Sequence, residues 1–307
     1  MKAYYSDHFV LPLPAGHRFP MAKYRMLRDL VVDLPDAQLL EAPRASDTEL
    51  LLAHDASYLQ RVISGTLSEA EQKEIGFPWS EKMVERSRRS VGATIAACQS
   101  AIEEGVAVNL AGGTHHAYRN KGSGFCVFND AAIAARVLMK YPISPRRIGI
   151  LDLDVHQGDG TAAILQHDPA ICTVSIHGEK NYPFAKTNSD LDIALADGSG
   201  DTIYLEALEQ ALEFLAKHDI EFLIYLAGAD PFEGDRLGRL RLTKEGLALR
   251  DQQVMAFVGE RGIPIAIAMA GGYANPIEDT VQIHYQTIQI ASAHQHKMRT
   301  SKSRPSS

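Results

Sequence analysis

Residues 150–160 read ILDLDVHQGDG. The segment opens as an apolar run of the kind that forms a strand covered on both faces, then breaks into acids, a histidine and two glycines. Asp154 and His156 are one residue apart, so on extended backbone their side chains leave the same side and can reach one point as the strand ends. Asp152 lies on that side too, and Asp159 follows the turn at Gly158. Charged groups on an otherwise apolar strand cost several kcal/mol unless they are paired or hold a metal. Three carboxylates and a histidine within eight residues therefore need a cation or one another. For Asp159 a plainer reading stays open, as the N-cap of a following helix.

Outward from this segment the same grammar repeats. Residues 106–111, 147–155, 171–177, 221–227 and 264–270 are near-continuous apolar runs and are predicted as buried strands. Residues 81–104, 131–140, 161–166, 202–218 and 244–261 have helical patterns between them. This alternation predicts an α/β fold: a single domain with a doubly wound, mostly parallel sheet and helices on both faces. With no repeat or linker-like shift in composition, residues 1–292 form one expected domain. Residues 293–307 are polar, carry Lys297, Arg299, Lys302 and Arg304, and are expected to be a disordered tail.

The chain has 307 residues, 45% of them hydrophobic and 22% charged, with a formal charge of −7. That surface repels phosphate backbones and argues against a nucleic-acid partner. Cys98, Cys126 and Cys172 are far apart and odd in number, which fits neither a disulfide framework nor a thiolate metal site. The opening MKAYYSDHF has no apolar signal core, and the apolar stretches at 222–229 and 263–270 are too short to cross a bilayer. A reducing cytoplasm is the expected home.

Ligands of open α/β sheets bind beyond the carboxyl ends of the strands. His115 and His116, in LAGGTHHAY (110–118), follow the first predicted strand; Asp154 and His156 end the second. Asp230, in LAGADPFEGD (226–235), ends the fourth, and Tyr273, in AMAGGYA (268–274), follows the fifth. Asp154, His156 and Asp230 would give one ion three oxygen and nitrogen ligands, the open arrangement of a catalytic zinc site. Taken alone, Asp230 reads equally well as a capping aspartate. Two carboxylates neutralise a divalent ion, so a nearby base is needed to help activate water. The His115–His116 pair can supply one, with Asp152 and Asp159 free to orient an imidazole each. Tyr273 after two glycines can aim a phenol at a developing oxyanion.

Taken together, THHA (114–117), GFCVFND (124–130), DLDVHQGDG (152–160), GAD (228–230) and GGY (271–273) resemble the histone deacetylases of the arginase-deacetylase superfamily. The resemblance covers about residues 1–290. HDASYL (54–59), HGEKNYPF (177–184) and EGDRLG (233–238) make it most like the class IV branch and bacterial relatives. It implies one catalytic zinc on Asp154, His156 and Asp230. His116 with Asp159 would be the general base, His115 with Asp152 its electrostatic partner, and Tyr273 the oxyanion donor. Gly124 and Phe125 would line a narrow acyl-lysine tunnel, with Tyr182 or Phe184 opposite. A structural potassium would sit on main-chain oxygens of Asp152, Asp154, His156 and Ile176 and the Ser175 hydroxyl.

Three departures bear on substrate. Residues 75–82 (IGFPWSEK) carry no counterpart of the rim aspartate that holds a peptide backbone in several relatives. Leu237 stands where polyamine-preferring relatives have a glutamate, and Lys23 where many have an arginine at the pocket's base. The expected reaction is hydrolysis of an acylated amine, either acetyl- or longer acyl-lysine or an acylated small molecule. A dimanganese arginase-like site needs a second acid two residues after Asp230, where Phe232 stands. A non-catalytic binding protein would have lost a ligand, a histidine or the tyrosine. Ser123 and Cys126 lie in no nucleophile elbow, which sets aside esterase chemistry.

Overall fold

In the computed structural model, residues 1–302 are described. Among them the strands are β1 (Lys2–Tyr5), β2 (Gln38–Glu41), β3 (Val106–Asn109), β4 (Ile148–Asp152), β5 (Ile171–Gly178), β6 (Leu191–Leu195), β7 (Phe222–Leu226) and β8 (Ile265–Ala268). The helices are α1 (Ala22–Val31), α2 (Asp47–Leu50), α3 (Ala56–Ser64), α4 (Glu69–Ile75), α5 (Glu81–Glu104), α6 (Asp130–Leu138), α7 (Asp159–Leu165), α8 (Asp201–Lys217), α9 (Lys244–Arg261) and α10 (Ile277–Lys302). One sheet runs β2-β1-β3-β8-β7-β4-β5-β6, with every pairing parallel.

Side-chain alternation splits the apolar interior into two layers. Phe222, Ile224 and Leu226 of β7, with Ala266 and Ala268 of β8, face the core under α3, α5 and α6. Leu223, Tyr225, Ile265 and Ile267 face the opposite core, under α1, α8, α9 and α10. Burial on both faces is why these strands read as unbroken apolar runs. β2 and β6 are edge strands whose outer residues are wet, so a search for such runs passes over them. β1, with only four residues, escapes for its length. The helices take ordinary stops and starts. Ser80 and Thr243 cap α5 and α9 through their hydroxyls, and α9 ends at Gly262 in the left-handed conformation.

Two expectations are corrected. The run 147–155 is strand only to Asp152, because beyond it backbone N–H groups turn to carboxylates. Asp154 N donates to Asp152 Oδ1 (3.1 Å), Val155 N to Asp230 Oδ1 (2.9 Å) and His156 N to Asp154 Oδ1 (2.9 Å). The tail expected from residue 293 is helical through Lys302. Gln295 pins it by donating to the carbonyls of Glu104 (3.1 Å) and Val106 (3.3 Å), and Ala291 is fully buried. Residues 303–307 of that expected tail lie outside the described residues. Among the described residues, no helix is long and apolar enough to cross a membrane.

Candidate active site

The loops that carry the expected site residues leave β3, β8, β7 and β4, four strands that are neighbours in the sheet. Their carboxyl ends therefore open into one cavity of about 560 Å³. It is lined by His115, His116, Gly124, Phe125, Asp154, His156, Tyr182, Asp230, Leu237 and Tyr273. Only Asp152 and Asp159 of the catalytic set stand behind this lining, as partners of the histidines.

At the floor, one ligand atom each from Asp154, His156 and Asp230 lies within 4.8 Å of the others. His156 Nδ1 is 2.9 Å from Asp154 Oδ1 and 3.3 Å from Asp230 Oδ2. Both carboxylates are buried, and Asp230 Oδ2 has no hydrogen-bond partner. Burial and the Asp154 charge push the Asp230 carboxyl up to about 7. His156 is held up at about 10, since the pull of Asp154 and Asp230 outweighs its burial. Two buried carboxylates beside one imidazole, one of them with an oxygen left unpartnered, are a site for a cation, and the oxygen and nitrogen donor set fits a divalent one. Asp230 thus proves to be no helix cap.

Beside this cluster stand two His–carboxylate pairs. His115 Nδ1 is 2.6 Å from Asp152 Oδ2, and His116 Nδ1 is 2.6 Å from Asp159 Oδ1. The two rings are adjacent, with centroids 4.1 Å apart, yet they differ in charge. Burial opposes charging His115, but Asp152 and Asp154 prevail and raise it to about 9. Burial and the charge of His115 push His116 down to about 4. The two imidazoles are thus biased in opposite directions, His115 toward the cation and His116 toward the neutral acceptor, a division that suits acid–base catalysis. Asp159 opens α7, but its carboxylate serves His116 and leaves the helix start uncapped.

Tyr273 is buried against Phe125, and burial holds its phenol well above the usual range, so it stays protonated. Its backbone is anchored by Asp235, whose Oδ2 accepts from Tyr273 N at 2.6 Å. Gly124 sits between two walls: a Cβ there would come 2.6 Å from His116 Cδ2 and 3.3 Å from Tyr182 Cε1. Phe125 adopts φ 67°, a conformation that costs about 1–3 kcal/mol for a residue with a side chain. Its N–H donates to the Ile75 carbonyl (2.7 Å) and the Gly124 N–H to that of Glu74 (3.0 Å), which hold it there at the end of α4. Tyr182 stacks edge-on against His116, whereas Phe184 is 87% exposed and belongs to the mouth.

Lys23 is buried at the base, donating to Gly272 O at 3.2 Å. Ser175 lies opposite Asp152 in register, its hydroxyl 3.1 Å from His177 Nδ1, and Ile176 is buried beside it.

Some functional groups escape a reading of the sequence. Tyr118 donates to Asp159 Oδ2 at 2.8 Å, competing with His116 for that carboxylate. Its position two residues after His116 is the available signal. Asp130 accepts from Gly113 N (3.0 Å) and Thr114 N (2.7 Å), clamping the loop that presents both histidines. Arg18 and Phe19 reach the cavity from a connection with no strand or helix pattern, so nothing local announces them.

Residues 17–288 match the histone deacetylase domain model. Among curated proteins, an uncharacterised protein of Picosynechococcus sp. is 43% identical over 91% of this chain and 94% of its own length. Histone deacetylase 2 of Arabidopsis thaliana is 32% identical over 87% of this chain and 73% of its own. The acetoin utilization protein AcuC of Bacillus subtilis is 30% identical over 74% and 65%. The crystal structure of a histone deacetylase homologue from Aquifex aeolicus superimposes with a TM-score of 0.79 over 94% of this chain and 83% of that one, at 22% identity. That likeness fixes the arginase/deacetylase-like fold and, with the domain match and these relatives, establishes that the chain belongs to the histone deacetylase family.

Proposed function

We propose that this chain is a zinc-dependent deacylase that hydrolyses the amide of an acylated amine. One observation carries the reading: three ligand atoms within 4.8 Å of one another, two of them on buried carboxylates, stand beside two oppositely biased His–carboxylate pairs. Asp154, His156 and Asp230 would hold the ion. When bound, zinc supplies a Lewis acid for the acyl carbonyl and lowers the pKa of a water.

The chain's own residues do the rest. His116 is neutral near pH 7, its Nδ1 held by Asp159, so Nε2 accepts the proton of the attacking water. His115 contributes positive charge beside the reacting carbon. Tyr273 donates its hydroxyl to the tetrahedral oxyanion, and a protonated histidine then gives its proton to the leaving amine, which is too basic to depart as an anion. Phe125, Gly124 and Tyr182 exclude water from the chain that threads between them.

A structural potassium on Asp152, Asp154, His156, Ser175 and Ile176 rests on the family resemblance alone, as does zinc in preference to another divalent ion. A cytoplasmic site of action and the lack of a nucleic-acid partner rest on composition and charge, and a small-molecule or acyl-lysine substrate on the family resemblance. The test is purified protein, stripped and reloaded with zinc, against acyl-lysines of increasing chain length and acetylated polyamines. Zinc-dependent release of free amine from at least one class is expected. A fully zinc-loaded protein that hydrolyses none of them would refute the reading.

A further inference from the structure

The chain carries a net charge of −7, yet the mouth of the cavity has the opposite sign. Its charged rim residues are Arg18, Lys73, Lys180 and Arg239, with Glu74 as the exposed acid among them. Glu74 is tied to Lys121, its Oε1 2.6 Å from Nζ, and Arg239 to Asp197 at 3.2 Å. Among the described residues no carboxylate lies within 4 Å of Arg18, Lys73 or Lys180, and all three are exposed. Arg18 is also fixed in place, its guanidinium 4.9 Å above the Phe125 ring that forms the tunnel wall. Leu237, rather than an acid, lines the cavity with them. Like charges around an opening in a low-dielectric body focus their field into it.

The floor of the cavity is where the amide is cut, so the mouth meets whatever lies on the amine side of the substrate. We propose that this rim selects acylated amines bearing a carboxylate on the amine side, at the far end of the chain that occupies the tunnel. The inference rests on the deacylase reading of the floor and adds the substrate class. A carboxylate there answers three unpaired cations, whereas the ammonium of an acetylated diamine meets repulsion. The carboxylate has two sources: a small acylamino acid, or acidic residues flanking an acyl-lysine in a peptide.

Three probes with one acyl group and one five-carbon spacer separate the possibilities: 6-acetamidohexanoate, its carboxamide and N-acetyl-1,5-diaminopentane. Turnover of each by the zinc-loaded enzyme is measured together with its binding by calorimetry, at 50 mM and 500 mM salt. Exposed charge pairs contribute modestly, so three of them predict a preference of about tenfold in kcat/KM for the carboxylate over the carboxamide, larger over the diamine. Because these charges are exposed, the preference should shrink at the higher salt. The double variant Arg18→Glu with Lys180→Glu should reverse the order. Lys217→Glu, at the opposite end of the strands where α8 closes on β7, makes the same kind of charge change far from the mouth and should leave the ratio as it was.

Equal binding and equal turnover of all three probes would overturn the rim assignment while leaving the deacylase reading intact. Selective binding of the carboxylate with no turnover of any probe would uphold the rim and overturn the deacylase reading. Acetyl-lysine tetrapeptides with glutamate or glutamine flanks then tell a small acid from an acidic peptide. A glutamate preference that Arg18→Glu abolishes supports the peptide source. No preference there, beside a strong one for 6-acetamidohexanoate, assigns the rim to a small acid.

Discussion

Gly271→Ala should empty the metal site without unfolding the protein. Gly271 N donates to Asp154 Oδ2 at 2.8 Å, so its Cα lies directly beside the ligand cluster. A Cβ added there would stand 2.1 Å from Asp230 Oδ2 and 2.5 Å from Asp154 Oδ2, where ordinary contact begins at 3.4 Å. Gly271 is not among the glycines with positive φ, so alanine meets no backbone penalty and the damage is confined to the carboxylates. Both oxygens must retreat, by roughly 1 Å each, against a tolerance of roughly 0.2 Å in metal–ligand distance. Losing even an outer partner of a ligand costs about 10–100-fold in metal affinity. Displacing a ligand itself should therefore cost at least about 100-fold, or roughly 2.7 kcal/mol. Zinc titration in competition with a chromophoric chelator reads the affinity, and thermal melting followed by circular dichroism reads the fold. A folded variant that binds one zinc within threefold of the parent's affinity would refute the reasoning.

Three further outcomes follow from the same geometry. Tyr273→Phe should retain zinc, measured by atomic emission, while kcat falls roughly 10²–10³-fold through loss of the oxyanion donor. Arg250→Met should destabilise the protein by about 3–5 kcal/mol in urea unfolding, because it strips Asp251 (2.9 Å) and the Gly228 carbonyl (2.6 Å) of their buried cation. Buried His54 is pushed down to about 4 from 6.5. Above pH 6.5 neither state holds the proton, but as pH falls toward 4 only the unfolded chain takes it up, so stability is lost, by about 2 kcal/mol at pH 5. His54→Gln, which keeps an acceptor for Asn129 N, should lose about that much less than the parent between pH 7 and pH 5 when both are unfolded in urea.

The floor of the site is legible because its chemistry is written where hydrophobic runs break. Asp154, His156 and Asp230 each follow a buried strand, and a charged group in that position is stable only when it is paired or holds an ion. The long helices α5 and α9 are legible to the residue, since each has a hydroxyl cap and a glycine at its end. Edge strands β2 and β6 are not, because half their surface faces water and the apolar run is interrupted. The C-terminal part of α10 reads as a tail because its hold on Glu104 and Val106 is made by a glutamine, a residue that composition counts toward disorder. Tyr118 and Arg18 stay hidden for a related reason: their partners are 41 residues away for the first hydrogen bond, and a ring on another loop for the second.

The metal ligands also serve as acceptors for their own backbone. Asp154 Oδ1 takes the His156 N–H, and Asp230 Oδ1 takes the Val155 N–H across 75 residues of sequence. Those contacts hold the loop beyond β4 in shape from within the protein, so an arriving ion finds its coordination sphere already assembled and has little chain to rearrange. Uptake and exchange should then be limited by dehydration of the ion and its passage down the cavity.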